Sequence, residues 1–208
     1  GPAAPTPVRP AHRPGPPAPP GDRPAAATGE LTVGSLGQTL AALQPEDCIV
    51  VDEGATSGLA YFALSANAPR HTLLSLTGGA IGQGLPCAVG AAIACPERKV
   101  VAFQADGSGM YTLQALWTAA REGLDVVVVL CANRAYRILQ AELGRAGIWE
   151  PGPQAQALTS LAGPEIDWVS LAKGMGVPGV RVETADAFGE ALGRAFAEPG
   201  PVLVEALI

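Results

Sequence analysis

"QADGSGMYTLQALWTAAREGLDVVVVLCANR", residues 104–134, decides how this chain is read. The apolar run Val100-Val101-Ala102-Phe103 leads straight into Asp106-Gly107-Ser108. A stretch with helical spacing follows, Leu113 to Glu122, and a second apolar run, Val126 to Ala132, ends against Asn133. Runs this apolar, without polar alternation, suit strands covered on both faces, as in parallel sheets. A short oxygen-bearing side chain thus stands at the end of each of two successive strands.

The same alternation extends in both directions. Upstream, Leu31–Leu43 has helical spacing, Cys48–Val51 is a short buried strand, and Asp52-Glu53-Gly54-Ala55-Thr56-Ser57-Gly58 follows as a loop. Leu59–Ala66 is expected to be helical, and a loop then leads through "LTGGAIGQGLP" into a helix of small residues, Ala88–Ala94. The strand that opens the deciding stretch is expected over Lys99–Ala105. Downstream come a helix over Tyr136–Leu143, a Gly/Pro/Gln-rich loop over Gly144–Pro164 and a helix over Trp168–Lys173. The chain closes with strand Gly179–Val182, helix Ala185–Ala197 behind an N-cap at Thr184, and strand Val202–Ala206. Strands alternating with helices predict an α/β fold, a doubly wound parallel sheet with helices on both faces. Ligands of such sheets sit at the carboxyl ends of the strands, where Asp52, Asp106 and Asn133 all fall.

Bulk properties narrow the classes of function. A net charge of −6 argues against nucleic acid as a partner, which calls for a basic patch. No run of about 18 apolar residues predicts a membrane span, and the N-terminus lacks the apolar core of a signal peptide. Cys48, Cys87, Cys95 and Cys131 show no CxxC pair, so buried free thiols and a cytoplasmic location are expected. Residues 1–29 form a Pro/Ala-rich tract that buries too little apolar area to offset chain entropy, so a disordered linker is expected there. The folded domain is expected over 30–208. A linker at the start, without an initiator Met, predicts a fragment of a longer protein.

Asp106 and Asn133 are separated by one strand-helix-strand unit, which sets successive strand ends side by side. One carboxylate and one amide oxygen converging on a point suit Mg²⁺ completed by phosphate oxygens and water. Gly107, Ser108 and Gly109 lie between strand and helix, where glycine permits close backbone approach and helix N–H groups favour phosphate. An Asp-Gly-Ser alone is most often a turn, and a lone Asn a cap; the pair at two strand ends is what points to a metal-bridged diphosphate. The P-loop pattern is absent, and Gly78, Gly79, Gly82 and Gly84 do not follow the order of a dinucleotide-binding loop. Glu53 is either an active-site carboxylate or, more simply, a solvated loop residue. His71 is a lone loop histidine, and the loop 144–164 has the length of a mobile lid.

These residues resemble a known family. The strand-Asp-Gly-Ser pattern followed by Asn133 is similar to the thiamine diphosphate signature, and "LTGGAIGQGLPCAVGAAIA" lies before it in family order. Over residues 30–208 the chain resembles the C-terminal, thiamine-diphosphate-binding domain of acetolactate synthase-like enzymes. The resemblance implies that Asp106, Asn133 and the backbone carbonyl of Ala135 ligate Mg²⁺. It implies that Gly107 and Ser108, with Gly54, Ala55 and Thr56, hold the diphosphate. The Gly79 carbonyl would accept a hydrogen bond from the aminopyrimidine. Ile81 would be the wedge that bends the cofactor so that its amine reaches the thiazolium C2 proton. Tyr136 would line the cavity. Two positions depart from the pattern, Ala105 and Ala132, where the family has Gly and Asn; neither is a metal ligand.

The implied activity is decarboxylation of a small-molecule 2-oxo acid and transfer of the C2 unit. Simple decarboxylation, as in benzoylformate or pyruvate decarboxylase, is the second enzyme reading, including as a split-gene subunit. A non-catalytic module that keeps the fold is the third. The implied partners are a pyrimidine-binding domain, in the same or a partner chain, and further copies in a homo-oligomer; without that domain the fragment is expected to lack turnover.

Overall fold

A computed structural model describes residues 23–208. The elements run α1 (Val33–Leu43), β1 (Ile49–Glu53), α2 (Gly58–Leu64), a turn of 3₁₀ helix (Ser65–Asn67), β2 (Thr72–Ser75), α3 (Gly84–Ala94) and β3 (Val100–Ala105). They continue with α4 (Asp106–Gly109), α5 (Ala115–Arg121), β4 (Val126–Ala132), α6 (Arg137–Arg145) and α7 (Pro153–Thr159). The last are α8 (Trp168–Gly174), β5 (Gly179–Val182), α9 (Ala185–Ala197) and β6 (Val202–Leu207).

All six strands are parallel, in the order β2-β1-β3-β4-β6-β5. Every residue of β4, Val-Val-Val-Val-Leu-Cys-Ala, is buried, because both of its faces are covered. Its side chains alternate between two cores. Val127, Val129 and Cys131 pack with Leu36 and Leu40 of α1, Tyr61 of α2 and Phe188 of α9. Val126, Val128 and Leu130 pack with Leu85 of α3, Leu116 of α5 and Trp168 of α8. Local chemistry agrees with the long-range pattern. Thr32 and Ser35 form a reciprocal capping box at α1, and the Thr184 hydroxyl caps α9 by accepting the Ala187 N–H at 3.2 Å.

The chain leaves β1 for β2 on one side, whereas β3 lies on the other side of β1. This reversal opens a crevice at the carboxyl ends of β1 and β3, where a doubly wound sheet binds its ligand.

Two elements differ from the sequence expectation. Strand β2 lies in a stretch expected to be loop; it is a four-residue edge strand, mostly exposed, and carries no apolar run to announce it. The expected lid over 144–164 contains helix α7, started by Pro153 in its first turn. Residues 1–22 of the Pro/Ala tract lie outside the described residues. Residues 23–29 run along α1 and α9: Arg23 Nε donates to the Ala42 carbonyl (2.6 Å), the Ala27 N–H to Thr39 Oγ1 (3.1 Å) and the Gly29 N–H to Asp186 Oδ2 (2.7 Å). All four cysteines are free; Cys48 and Cys131 are buried, and burial pushes both thiols up to about 12. No helix among the described residues is long and apolar enough to cross a membrane.

Helices α1 and α2 approach closely at Gly37, where an added Cβ would lie 2.9 Å from the Tyr61 backbone nitrogen. Backbone cannot swing aside as a side chain can. Gly37→Ala is therefore expected to cost about 1–3 kcal/mol in chemical unfolding; an unchanged midpoint would show that α2 slides freely.

Candidate active site

The register of β3 against β4 sets Ala105 opposite Cys131, so the chain emerges from neighbouring strands at Asp106 and Ala132-Asn133. Asp106 is 2 % exposed. Its Oδ1 accepts the Gly107 N–H (2.9 Å) and its Oδ2 the Arg134 N–H (2.6 Å). The carboxylate at the end of one strand thus shapes the loop after the next. Asn133 Oδ1 accepts the Ala135 N–H at 3.0 Å, a tight local turn. Arg134 between them adopts the left-handed conformation (φ 56°), which non-glycine residues avoid. An ionic chain steadies it: Arg134 pairs with Glu165, Glu165 with Arg181, and Arg181 with the buried Glu205.

The expected lid is tied to this loop. The Tyr136 N–H donates to the Thr159 carbonyl (2.9 Å) and the Leu161 N–H to the Arg134 carbonyl (2.7 Å), bridging Ala135 to Ser160. In such an antiparallel bridge the Ala135 carbonyl takes no part and points away from residue 160.

The first strand end contributes Gly54, Ala55 and Thr56. The Gly54 N–H donates to Asp52 Oδ1 (2.9 Å), and Ala55 is the second non-glycine residue of this crevice in the left-handed region (φ 48°). Burial, then the neighbouring Glu53 charge, raises the Asp52 pKa against the pull of the Gly54 N–H.

Glu53 is neither solvated nor open to the crevice. It is 1 % exposed, and its carboxylate accepts three backbone N–H groups at the start of α3: Gly82 (2.7 Å), Gln83 (3.0 Å) and Gly84 (3.1 Å). A carboxylate satisfies the orphan donors of a helix N-terminus and favours its dipole. Glu53 thereby ties the Gly-rich stretch carrying Gly79 and Ile81 to β1. Gly79 is exposed and Ile81 half-buried; the Gly79 carbonyl accepts the Ile81 N–H at 3.1 Å.

The Ser108 hydroxyl is turned into the fold, 3.2 Å from the Glu53 carbonyl and 3.0 Å from Gln104 Oε1. Any contact Ser108 makes with a ligand therefore falls to its backbone. Tyr136 lays its ring against Gly107, where an added Cβ would lie 2.5 Å from a ring carbon. His71 is at the amino end of β2, its ring nitrogen 2.8 Å from the Pro69 carbonyl, and so lies at the opposite end of the sheet. Sequence reasoning missed Gln104 and Thr112, and misread Glu53. The one available signal was that Glu53 ends a buried strand just before a glycine, too common a pattern to specify a helix cap 30 residues away.

The donor set fits a hard divalent cation. Asp106 is buried, burial raises its pKa despite the Arg134 and Gly107 N–H groups, and no salt bridge reaches it among the described residues. A buried carboxylate without a counter-charge is costly, and a cation relieves that cost. Among the described residues no three His, Cys, Asp or Glu side chains gather as a metal cage. A magnesium site completed by phosphate oxygens and water needs none. Gly107 and Gly54 are both buried, the space at their Cα atoms being taken by the Tyr136 ring in the one case and by the Gly58 backbone and Phe103 in the other.

Two outcomes follow from this packing. Gly107→Ala and Tyr136→Ala should each destabilise, and the double variant should lose less than their sum, with coupling of about 1 kcal/mol in thermal unfolding; strict additivity would separate the two residues. For Asp52 the folded pKa is above the unfolded one, so its stabilising contribution is present in acid and lost as pH rises through the folded value. In cofactor-free protein, Asp52→Asn should raise the melting temperature at neutral pH, and the gain should vanish towards pH of about 4. A constant gain would contradict the assignment to ionisation.

Comparison with known proteins shows the family. Residues 52–206 match the family model described as thiamine pyrophosphate enzyme, C-terminal TPP binding domain. The chain is 50 % identical over 187 residues to the provisional acetolactate synthase large subunit IlvX of Mycobacterium tuberculosis, covering 89 % of this chain and 36 % of that protein. It is 35 % identical over 202 residues to benzoylformate decarboxylase of Pseudomonas aeruginosa, covering 95 % of this chain and 36 % of the relative. The structure of the thiamine diphosphate-dependent 4-hydroxybenzoylformate decarboxylase of Rhodococcus jostii superposes with a TM-score of 0.77 at 31 % identity, over 94 % of this chain and 36 % of that one. The chain thus spans little more than a third of the length of these relatives. With three loops converging at the carboxyl ends of a parallel sheet, it belongs to the thiamine pyrophosphate enzymes, as their C-terminal TPP-binding domain.

Proposed function

We propose that this chain is the cofactor-binding module of an acetolactate synthase-like enzyme, one that decarboxylates a 2-oxo acid and transfers the two-carbon unit. The observation that carries the proposal is the buried, uncompensated Asp106 beside Asn133 at adjacent strand ends. Asp106 and Asn133 would hold Mg²⁺ through side-chain oxygens and Ala135 through its carbonyl. Backbone groups of Gly54, Ala55, Thr56, Gly107 and Ser108 would hold the diphosphate, whose negative charge suits helix N–H groups and the bound cation. Gly79 would accept a hydrogen bond from the pyrimidine amine, Ile81 would support the bent cofactor from below, and Tyr136 would close the cavity over Gly107. When bound, thiamine diphosphate supplies the electron sink that allows a 2-oxo acid to lose CO₂. The protein's part is to exclude water, orient the reacting groups and keep the metal charge on the diphosphate.

The 50 % identity to the M. tuberculosis relative supports acetolactate synthesis as the specific reading. The likeness to P. aeruginosa and R. jostii decarboxylases favours simple 2-oxo acid decarboxylation as the second. On either reading residues 30–208 form the domain and residues 1–29 its connector. A pyrimidine-binding domain, from the same chain or a partner, would complete the site in a cytoplasmic homo-oligomer, so these 208 residues alone should show no turnover.

Calorimetric titration of thiamine diphosphate tests the reading. Binding is expected to require Mg²⁺ and to weaken more than about tenfold in Asp106→Ala. Binding of equal strength in the presence of a chelator, or unchanged by the substitution, would remove the metal-bridged diphosphate from this site.

A further inference from the structure

We infer that Glu53 and Thr112 are positioning residues that clamp the loop bearing Gly79 and Ile81, and that Glu53 sets this loop in register with both diphosphate loops; the inference rests on the cofactor reading above. Gly82 is the point of attachment. Its N–H donates to Glu53 Oε1 at 2.7 Å, and its carbonyl accepts from Thr112 Oγ1 at 2.8 Å. One peptide on either side of a single residue is therefore held, from β1 on one side and from the segment between α4 and α5 on the other. Gly82 has φ 103°, and an added Cβ would lie 2.9 Å from the Tyr111 Cβ, so no other residue fits between the two anchors.

Among the described residues the rest of the loop has no such support. Gly78 and Gly79 are left-handed, exposed, and have nothing within 4 Å of the place where a side chain would stand. Ile81 adjoins the clamp. Its position is consequently determined from the Gly82 end, and a loosened clamp would let Ile81 and the Gly79 carbonyl drift together.

Glu53 reaches further than a helix cap requires. It immediately precedes Gly54, and its backbone carbonyl lies 3.2 Å from the Ser108 hydroxyl. Ser108 in turn bonds Gln104, whose side chain occupies the space a Cβ on Gly84 would need (2.1 Å). The loops after β1 and β3 and the loop before α3 therefore meet at one buried residue. Displacement of well under an ångström from the productive geometry is costly in catalysis, which gives such a junction its purpose.

Two measurements on the full-length protein carrying this chain decide the matter. The first needs no cofactor: amide hydrogen exchange at Gly82, Gln83 and Gly84. Glu53→Gln and Thr112→Val should speed exchange there by about tenfold or more while the β4 amides remain protected. Thr112→Ser, which keeps the hydroxyl, should restore the parental rate. The second compares affinity for thiamine diphosphate with the rate at which the bound cofactor exchanges its C2 proton for deuterium. The clamp variants should keep affinity within about threefold and lose about tenfold or more in C2 exchange, because the loss lies in orientation and not in phosphate binding. Unchanged amide exchange in a folded Thr112→Val protein would overturn the clamp. Parallel loss of affinity and C2 exchange would overturn its positioning role. A parent protein that binds no thiamine diphosphate would instead overturn the proposed function, and the amide exchange would still report whether the clamp exists.

Discussion

The parallel pairing of β3 with β4 is the constraint on which the site depends. Because Ala105 lies opposite Cys131, the two chains leave the sheet side by side, and a carboxylate and an amide are delivered to the same edge without any loop having to travel. A slip of one residue would turn Asp106 towards a different layer and separate it from the Arg134 N–H it accepts at 2.6 Å. The register is well defined because all of β4 is buried: alternate residues face two different cores, and neither tolerates the other's set.

The candidate site residues gather at the sheet's carboxyl edge and the apolar side chains in its two layers, and the boundary between them is polar and buried. Glu53, Gln104, Asp106 and Ser108 all have less than a tenth of their surface exposed. Polar groups at that depth are tolerated only when paired, and most of theirs are paired with backbone of the neighbouring loop. Among the described residues the exceptions are Gln104 Nε2, Ser57 Oγ and, in the layer beneath, Trp168 Nε1, which have no partner, and Asp106, which has backbone donors but no counter-charge. Left-handed Ala55 and Arg134 add backbone strain at the same edge. Strain and incomplete satisfaction of this kind collect where a ligand is to be met.

The segment after β4 shows how one loop can be both shaped and supported. Asp106 shapes it from within, Asn133 folds it back on Ala135, and the stretch before residue 161 buttresses it through the bridge between Ala135 and Ser160. Exposed Trp149 and Leu158 lie on this buttress, whose helices α6 and α7 bury one residue between them, Thr159.

What the sequence determined by itself was whatever local chemistry and periodicity encode. Apolar runs at 100–103 and 126–132, each leading to a small oxygen-bearing side chain, specified a covered parallel sheet with Asp106 and Asn133 at its carboxyl edge. Thr184 ahead of a polar-apolar helix announced its cap. The short edge strand β2 and helix α7 were illegible, because neither carries an apolar run of its own; each is held by pairing to a distant segment. Glu53 was misjudged for the same reason: a carboxylate before a glycine looks solvated until the start of α3, some 30 residues later, folds back upon it. Tertiary structure alone decided those partnerships, since the energy of burying a charged group depends on which backbone donors reach it and not on its neighbours in the chain.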